Sequence, residues 1–287
     1  MAGSPRYELF RFLNISADPC GPPCAACLFA VAATVSHFGY LQLHSNQEVQ
    51  RSPSLRAIVT PASKSPNMAY DFHRVPLLVS HYEEYLATQD SARFMRNVAG
   101  AYTMATLERL AKSRDRVTRR AAVLALGVMG DYEANHILGR ALTDPDRGVR
   151  SLADTGIRTV WQRAGNVYQR AQLQIIIKMV SAKNYSEAIR RATELIEQAP
   201  WFAEVWNQRA LAHFANGSFD ECVRDCRQAL EINPYHFAAA AGMGQCHLRM
   251  NNPLAALECF RRALRLNPSM EAVRAQVVQL QRTLRDR

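Results

Sequence analysis

Three cysteines near the start of the 287-residue chain, Cys20, Cys24 and Cys27, stand at C-x3-C-x2-C. At that spacing three thiolates can hold an iron–sulfur cluster. A cluster enzyme also needs a Gly-rich segment and alternating strands and helices to seat its cofactor, and neither follows. The plainer reading is that Pro19, Gly21, Pro22 and Pro23 break the chain ahead of an apolar helix, with the thiols at its entry. A second group, His213, Cys222, Cys226, Cys246 and His247, has the residue types of a metal site, with Cys222 and Cys226 one helical turn apart. His213, Cys222 and Cys226 fall instead at packing positions of a repeated pattern, where a free cysteine acts as a small hydrophobe. No GxSxG, HExxH or phosphate loop ending in lysine occurs. Asn14, Asn184 and Asn216 open N-x-S sequons, but an odd total of seven cysteines gives a secreted route no support. The sequence therefore nominates no catalytic residue, no metal ligand and no cofactor.

Hydrophobic residues are 48% and charged residues 21% of the chain, with Gly 13 and Pro 13, which excludes fibrous and wholly disordered classes. The length allows about two domains at ~150 residues each. The formal charge of +10 comes from arginines, since Lys64, Lys112, Lys178 and Lys183 are the only lysines. Acids are interspersed and no run of five like charges occurs, so the charge does not form the stripe of a nucleic-acid binder. Three prolines, Pro200, Pro234 and Pro268, stand 34 residues apart. Counting back from each gives three units. The second carries Trp206, Ala210, Phe219, Ala229 and Pro234; the third Met243, Gly244, Ala256, Phe260, Ala263 and Pro268; the first keeps Tyr185, Ala188 and Pro200, with Ile176 at a position that is small elsewhere. Each unit reads as a helical hairpin: small residues let its helices approach, aromatics fill the gap to the next hairpin, and the proline stops the second helix. Such hairpins bury their apolar faces only by stacking. Val273, Val277, Leu280 and Leu284 form one apolar stripe on a last helix that caps the stack.

This pattern resembles the tetratricopeptide repeat over residues 169–268. The resemblance implies units 169–202, 203–236 and 237–270 within residues 167–287, followed by a capping helix at 271–285. It also implies a concave groove lined by the first helix of each unit. Carried onto this sequence, the partner-binding positions are Arg170, Leu173, Ile177, Asn207, Leu211, Phe214, Gln245, Leu248 and Arg249. Members of the family that hold a C-terminal carboxylate use Lys, Asn and Arg there. Leu173, Ile177 and Gly242 replace three of them, which disfavours binding of heat-shock chaperone tails. The remaining side chains suggest an apolar groove suited to an amphipathic helix.

Residues 115–126, DRVTRRAAVLAL, and 146–157, DRGVRSLADTGI, repeat at a period of 31. With ALGVMGD at 125–131 they resemble the HEAT-like repeat of phycobilisome-lyase-type proteins, over about 102–164. Asp154 and Gly156 depart from that pattern, which places Ala-type residues there. Further helices are expected around Ser91–Ala101 and from Val75 to Leu86. The N-terminal region, 1–101, holds Cys24–Leu43, 20 residues without an acid, Lys or Arg. That is long enough to span a bilayer, and Thr34, Ser36, His37 and Gln42 dilute it. A membrane anchor and a buried helix both stay open, with cytoplasmic placement favoured. Residues 45–75, with Pro53, Pro61 and Pro66, read as a flexible linker.

The expectation is an all-α protein: a right-handed α-solenoid of two HEAT-like repeats (102–166), three tetratricopeptide repeats and a capping helix. It is expected to act as a non-catalytic scaffold that takes a peptide or partner helix in the apolar groove. Two alternatives stay beside it. One is a lyase-like accessory role, implied by the HEAT-like resemblance. The other is nucleic-acid binding through Arg116, Arg119, Arg120, Arg147 and Arg150.

Overall fold

The computed structural model describes residues 76–285, so Cys20, Cys24, Cys27, the segment Cys24–Leu43 and the 45–75 stretch lie outside the described residues. Over the described span the chain is all-helical, with thirteen α-helices, one 3-10 turn and no strand. The first half runs α1 (Leu77–Thr88), α2 (Ser91–Ala101), α3 (Met104–Leu110), α4 (Arg116–Met129), a 3-10 turn at Tyr132–Ala134, α5 (Asn135–Ala141) and α6 (Arg147–Gln162). Three hairpins follow: α7 (Val167–Ser181) with α8 (Tyr185–Gln198), α9 (Ala203–Ala215) with α10 (Phe219–Ile232), and α11 (Phe237–Arg249) with α12 (Pro253–Leu266). Helix α13 (Glu271–Arg285) closes the stack, and its Val273 and Val277 join the core of the last two hairpins.

Local chemistry explains the helix ends. Asp90, Thr103, Asp115 and Asp146 each accept a backbone N–H at the first turn of their helix, and Asn166 with Gln169 completes a capping box on α7. The turn inside each hairpin places one residue in the left-handed region: Lys183 (φ 62°), Gly217 (φ 82°) and Asn251 (φ 57°). These three are 34 residues apart, so one backbone kink recurs in every unit although its residue type changes. Glycine adopts it without penalty, asparagine at small cost, and lysine at the most.

Packing repeats as well. Ala210 meets Cys222, Cys226 and Ala229 in one buried cluster, and Phe260 lies against Gly244, where an added Cβ would come within 2.5 Å of the ring. Arg209 ties three helices together. It makes a bidentate pair with Asp225 of α10 (2.8 and 2.8 Å), donates to the Thr193 hydroxyl of α8 (2.9 Å) and stacks on Trp206 at 4.9 Å. Trp206 is half-buried, and its indole N–H donates to the Pro200 carbonyl (2.8 Å).

In the first half, the 31-residue period reappears as repeated contacts. Arg119 donates to the Ser113 and Arg114 carbonyls, and Arg150 to the Asp144 and Pro145 carbonyls, each 31 residues on. Arg119 also holds Asp144 (2.8 and 2.9 Å), while Arg120 holds Asp146 (2.7 and 2.8 Å), welding α4 to the start of α6. Those hydrogen bonds from Arg120 hold the Asp146 carboxyl down at about 2.

Helices α4 and α6 cross where Gly127 faces Gly156. A Cβ on Gly127 would lie 2.7 Å from the Gly156 Cα, and one on Gly156 would lie 2.8 Å from the Gly127 Cα. Gly156, which departs from the expected pattern, is therefore required by backbone-to-backbone contact that no side-chain movement can relieve. Gly156→Ala is expected to destabilise the chain by about 1–3 kcal/mol through overpacking. Gly100→Ala, where nothing lies within 4 Å of the added Cβ, should stabilise it by about 0.5–1 kcal/mol. Urea midpoints of the two variants check the pair, and equal midpoints would refute the crossing argument.

Candidate functional site

Two loops carry the hairpins onto α5 and α6. Asn233, just after α10, accepts from the Asn135 amide (3.0 Å) and from the Tyr235 N–H (3.1 Å). Asn267, just after α12, accepts from the Ser269 N–H (3.1 Å) and donates to the Asp154 carboxylate (2.6 Å). The first unit has Ala199 at the corresponding place. Asp154, the other departure from the expected pattern, thus has a partner 113 residues away. Trp161, in the last turn of α6, donates its N–H to Asn135 Oδ1 (2.7 Å), stacks on His236 (centroids 4.2 Å, planes 15° apart) and packs on Phe237 at 5.1 Å. One turn earlier, Arg158 pairs with Asp154 (3.3 Å) and lies 4.5 Å above the Phe237 ring. His236 Nδ1 accepts the Ala239 N–H (3.2 Å), so Nε2 carries the proton and donates to Glu204 Oε2 (3.1 Å). Glu204 is only 6% exposed, and its carboxylate also accepts from Gln208 (2.7 Å) and Asn207 (3.3 Å). A buried carboxylate persists there because three donors serve it.

Next to this contact a cleft of about 760 Å³ opens between α6 and the last hairpin. One wall is Arg147, Arg150, Ser151, Asp154 and Arg158 of α6; the other is Ala238, Ala241, Gly242 and Gln245 of α11; residues 267–274 close one end. Its size falls in the ligand-cleft range of about 300–1,000 Å³. The repeat-side wall is nearly bare of side chains, so the α11 backbone is approachable there. Gln245 is fixed by a hydrogen bond to Gln276 (2.7 Å).

The nine groove positions read from the sequence are spread over several environments. Gln245 lines the cleft, while Arg170, Leu248 and Arg249 keep accessible surface. Leu173, Ile177, Asn207, Leu211 and Phe214 are buried inside the chain, at 0, 9, 5, 5 and 6% exposure. Leu173 and Ile177 belong to the cluster around Phe202, and Phe214 packs edge-on to Phe219 (5.6 Å) beneath Arg249. The sequence singled out Arg147 and Arg150 only as nucleic-acid contacts and did not bring α6 against the last hairpin as a wall. The wall's traces were Asn233 and Asn267 standing before their prolines where the first unit has alanine.

The clustered thiols lie in the hairpin core. Cys246 donates to Cys222 across a 2.6 Å sulfur–sulfur contact; that bond and burial push the Cys246 thiol far up, while Cys222 is pushed up by its bond to Cys226 and by burial, against the opposing effect of Cys246. Among the described residues no group of three or more His, Cys, Asp or Glu is arranged to hold a metal ion, and no helix is long and apolar enough to cross a membrane.

With this geometry in view, the likeness to known proteins falls on the hairpins. The tetratricopeptide-repeat family model matches residues 201–269, and that stretch is a tetratricopeptide-repeat region. A TPR repeat-containing protein of Rhizobium etli is 30% identical over 134 residues, 47% of this chain and 65% of that one. The SGT1 homolog of Bos taurus is 35% identical over 80 residues, 28% of this chain and 24% of its own. The chain thus spans less than two thirds of these curated relatives. The solved first TPR of Spaghetti (RPAP3), bound to an HSP90 peptide, aligns over 40% of this chain and 92% of its own at 21% identity, with a TM-score of 0.39.

Two expectations follow. Phe214→Glu places a carboxylate in the hairpin core. It should cost at least the ~3–5 kcal/mol of a buried Phe truncation and lower the melting temperature sharply, and an unchanged melt would mean that Phe214 is accessible. Burial also holds the His213 and His247 imidazoles below their usual range, against the pull of Asp225 on His213 and of Asp220 on His247. The unfolded chain therefore binds more protons below about pH 6.5, and the stability these groups contribute is complete above that pH and lost as pH falls from it. Chemical denaturation at pH 7.5 and 5.5 should show this loss, reduced in His213→Gln; an equal loss in that variant would clear His213.

Proposed function

We propose that this chain is a non-catalytic protein-interaction scaffold whose partner segment enters the cleft between α6 and the last hairpin. The observation that carries the reading is the cleft itself: a ligand-sized trough with one polar wall and one wall of Ala238, Ala241 and Gly242. Small residues let a peptide backbone or a helix come close, as a recognition groove requires. Asp144 and Asp154 in the lining are engaged by Arg119 and Arg158, and neither Ser151 nor Ser269 has a base beside it among the hydrogen bonds described, which favours binding over chemistry. The scaffolding role comes from the tetratricopeptide-repeat region. The HEAT-like identity of residues 102–166 is part of the same proposal, supported by the arginine contacts that recur 31 residues apart. The groove positions that keep surface, Arg170, Leu248 and Arg249, would flank the partner beyond the cleft.

Nucleic-acid binding through the α4 and α6 arginines is the weaker reading. Arg119 and Arg120, two of its five arginines, are engaged by Asp144 and Asp146.

The test places a photo-crosslinking amino acid at Ala241 of the full chain, with exposed Glu197 on α8 as the control site. A partner that crosslinks from position 241, and is lost when Ala241→Trp fills the cleft, is the expected result. A partner that crosslinks only from position 197, or that Ala241→Trp leaves bound, would overturn the reading.

A further inference from the structure

Resting on that reading of the cleft, we propose that its occupant is an acidic peptide segment of a partner protein, whose carboxylates are taken by Arg147, Arg150 and Arg274.

Positive charge is in excess within the cleft. Four arginines and three acids line it. Two of the acids are already engaged. Asp144 is held by Arg119, which stands outside the lining, through two hydrogen bonds of 2.8 and 2.9 Å. Asp154 is held by Arg158 at 3.3 Å and by the Asn267 amide at 2.6 Å. Arg158 is further occupied by the Phe237 ring beneath it. What remains is three guanidiniums facing one free carboxylate, Glu271.

None of the three has a carboxylate partner among the described residues. Arg147 is exposed, and no described group bonds to it. Arg150 donates to the Asp144 and Pro145 carbonyls (2.8 and 3.0 Å) and reaches the Ser269 hydroxyl at 3.4 Å. Those contacts fix its position at the cleft wall and leave its charge uncompensated. Arg274, across the cleft on α13, is held by the Pro268 carbonyl. Guanidiniums tethered by neutral acceptors are ordered in advance, so less side-chain freedom is lost when they bind a carboxylate in a fork geometry.

The same cleft argues for a peptide over a nucleic acid. Its lining holds no aromatic side chain on which a base could stack, and Glu271 would repel a continuous phosphate backbone. The bare α11 wall suits a peptide main chain. The chain's own N-terminal stretch is a poor occupant on charge: residues 1–75 carry Arg6, Arg11, Arg51, Arg56, Lys64 and Arg74 against Glu8, Asp18, Glu48 and Asp71.

The experiment uses the full chain and two fluorescein-labelled probes, hexaglutamate and hexaglutamine, read by fluorescence anisotropy at 0.1 M and 0.3 M salt. Hexaglutamate should bind and hexaglutamine should not, with affinity falling at the higher salt. Arg150→Gln with Arg274→Gln should weaken hexaglutamate at least about tenfold, the order expected for losing charge-assisted hydrogen bonds. Arg261→Gln with Arg262→Gln, exposed on α12, removes the same charge and should change it less than about twofold. Arg147→Gln, which breaks no described contact, gives the same answer if the Arg150 variant loosens its loop. Equal weakening by the α12 pair would make the binding a property of net charge and overturn the proposal. So would binding of hexaglutamine as tight as hexaglutamate, or tighter binding of a twelve-residue oligothymidylate in the cleft. If Ala241→Trp blocks a crosslinked protein partner while hexaglutamate never binds, the cleft reading stands and the acidic partner is refuted.

Discussion

The ring of Trp161 is the wedge on which the arrangement of the two halves depends. One face of the indole lies on His236 and its N–H is spent on Asn135, so a single side chain satisfies a stacking contact and a buried hydrogen bond at once. His236 in turn gives its own proton to Glu204, which connects the wedge to the first turn of α9. Trp161, Asn135, His236 and Glu204 are all buried and bonded to one another or to a neighbour, and only at the edge of the network do Asn233 Nδ2 and Gln208 Oε1 lack a partner among the described residues. Such a network is intolerant: removing one member strands the others in low dielectric. The two halves are therefore set against each other at one angle, and the cleft beside Trp161 is the space which that angle leaves.

Much of the architecture was legible in the residues. The 34-residue spacing of Pro200, Pro234 and Pro268 places three hairpins because proline ends a helix whatever surrounds it, and α8, α10 and α12 end just ahead of those prolines. The 31-residue period was legible for the same kind of reason, since Asp115 and Asp146 each cap a helix locally. Signals of this sort depend on near neighbours in the chain and survive reading one residue at a time.

The site was less legible because it is built between distant segments. The groove positions of the repeat resemblance assume an open inner face, and in this chain Leu173, Ile177, Leu211 and Phe214 are covered. Burial of that kind depends on where α6 and the neighbouring helices lie, which no local pattern reports. The informative residues were the ones that broke a pattern. Gly156 is small because the Gly127 backbone presses on it, Asp154 is charged because Asn267 reaches it, and Asn233 and Asn267 replace the Ala199 type because they cross to α5 and α6. Asp154 and Gly156 read as departures from a repeat, and both turned out to be long-range contacts.

The two walls of the cleft come from parts of the chain with different jobs. The α11 wall is constrained by hairpin stacking, where Gly244 must leave room for Phe260. On the α6 wall Asp154, Arg158 and Arg150 are tied to Asn267, Phe237 and the Asp144 carbonyl, whereas the exposed side chains of Arg147 and Ser151 have no such contact among the described residues. Selection can thus retune this surface by exchanging residues on one face of a single helix, while the repeat signature stays constant. Two relatives with indistinguishable hairpins could then serve unrelated partners, and the helix ahead of the repeats would be the place to look for the difference.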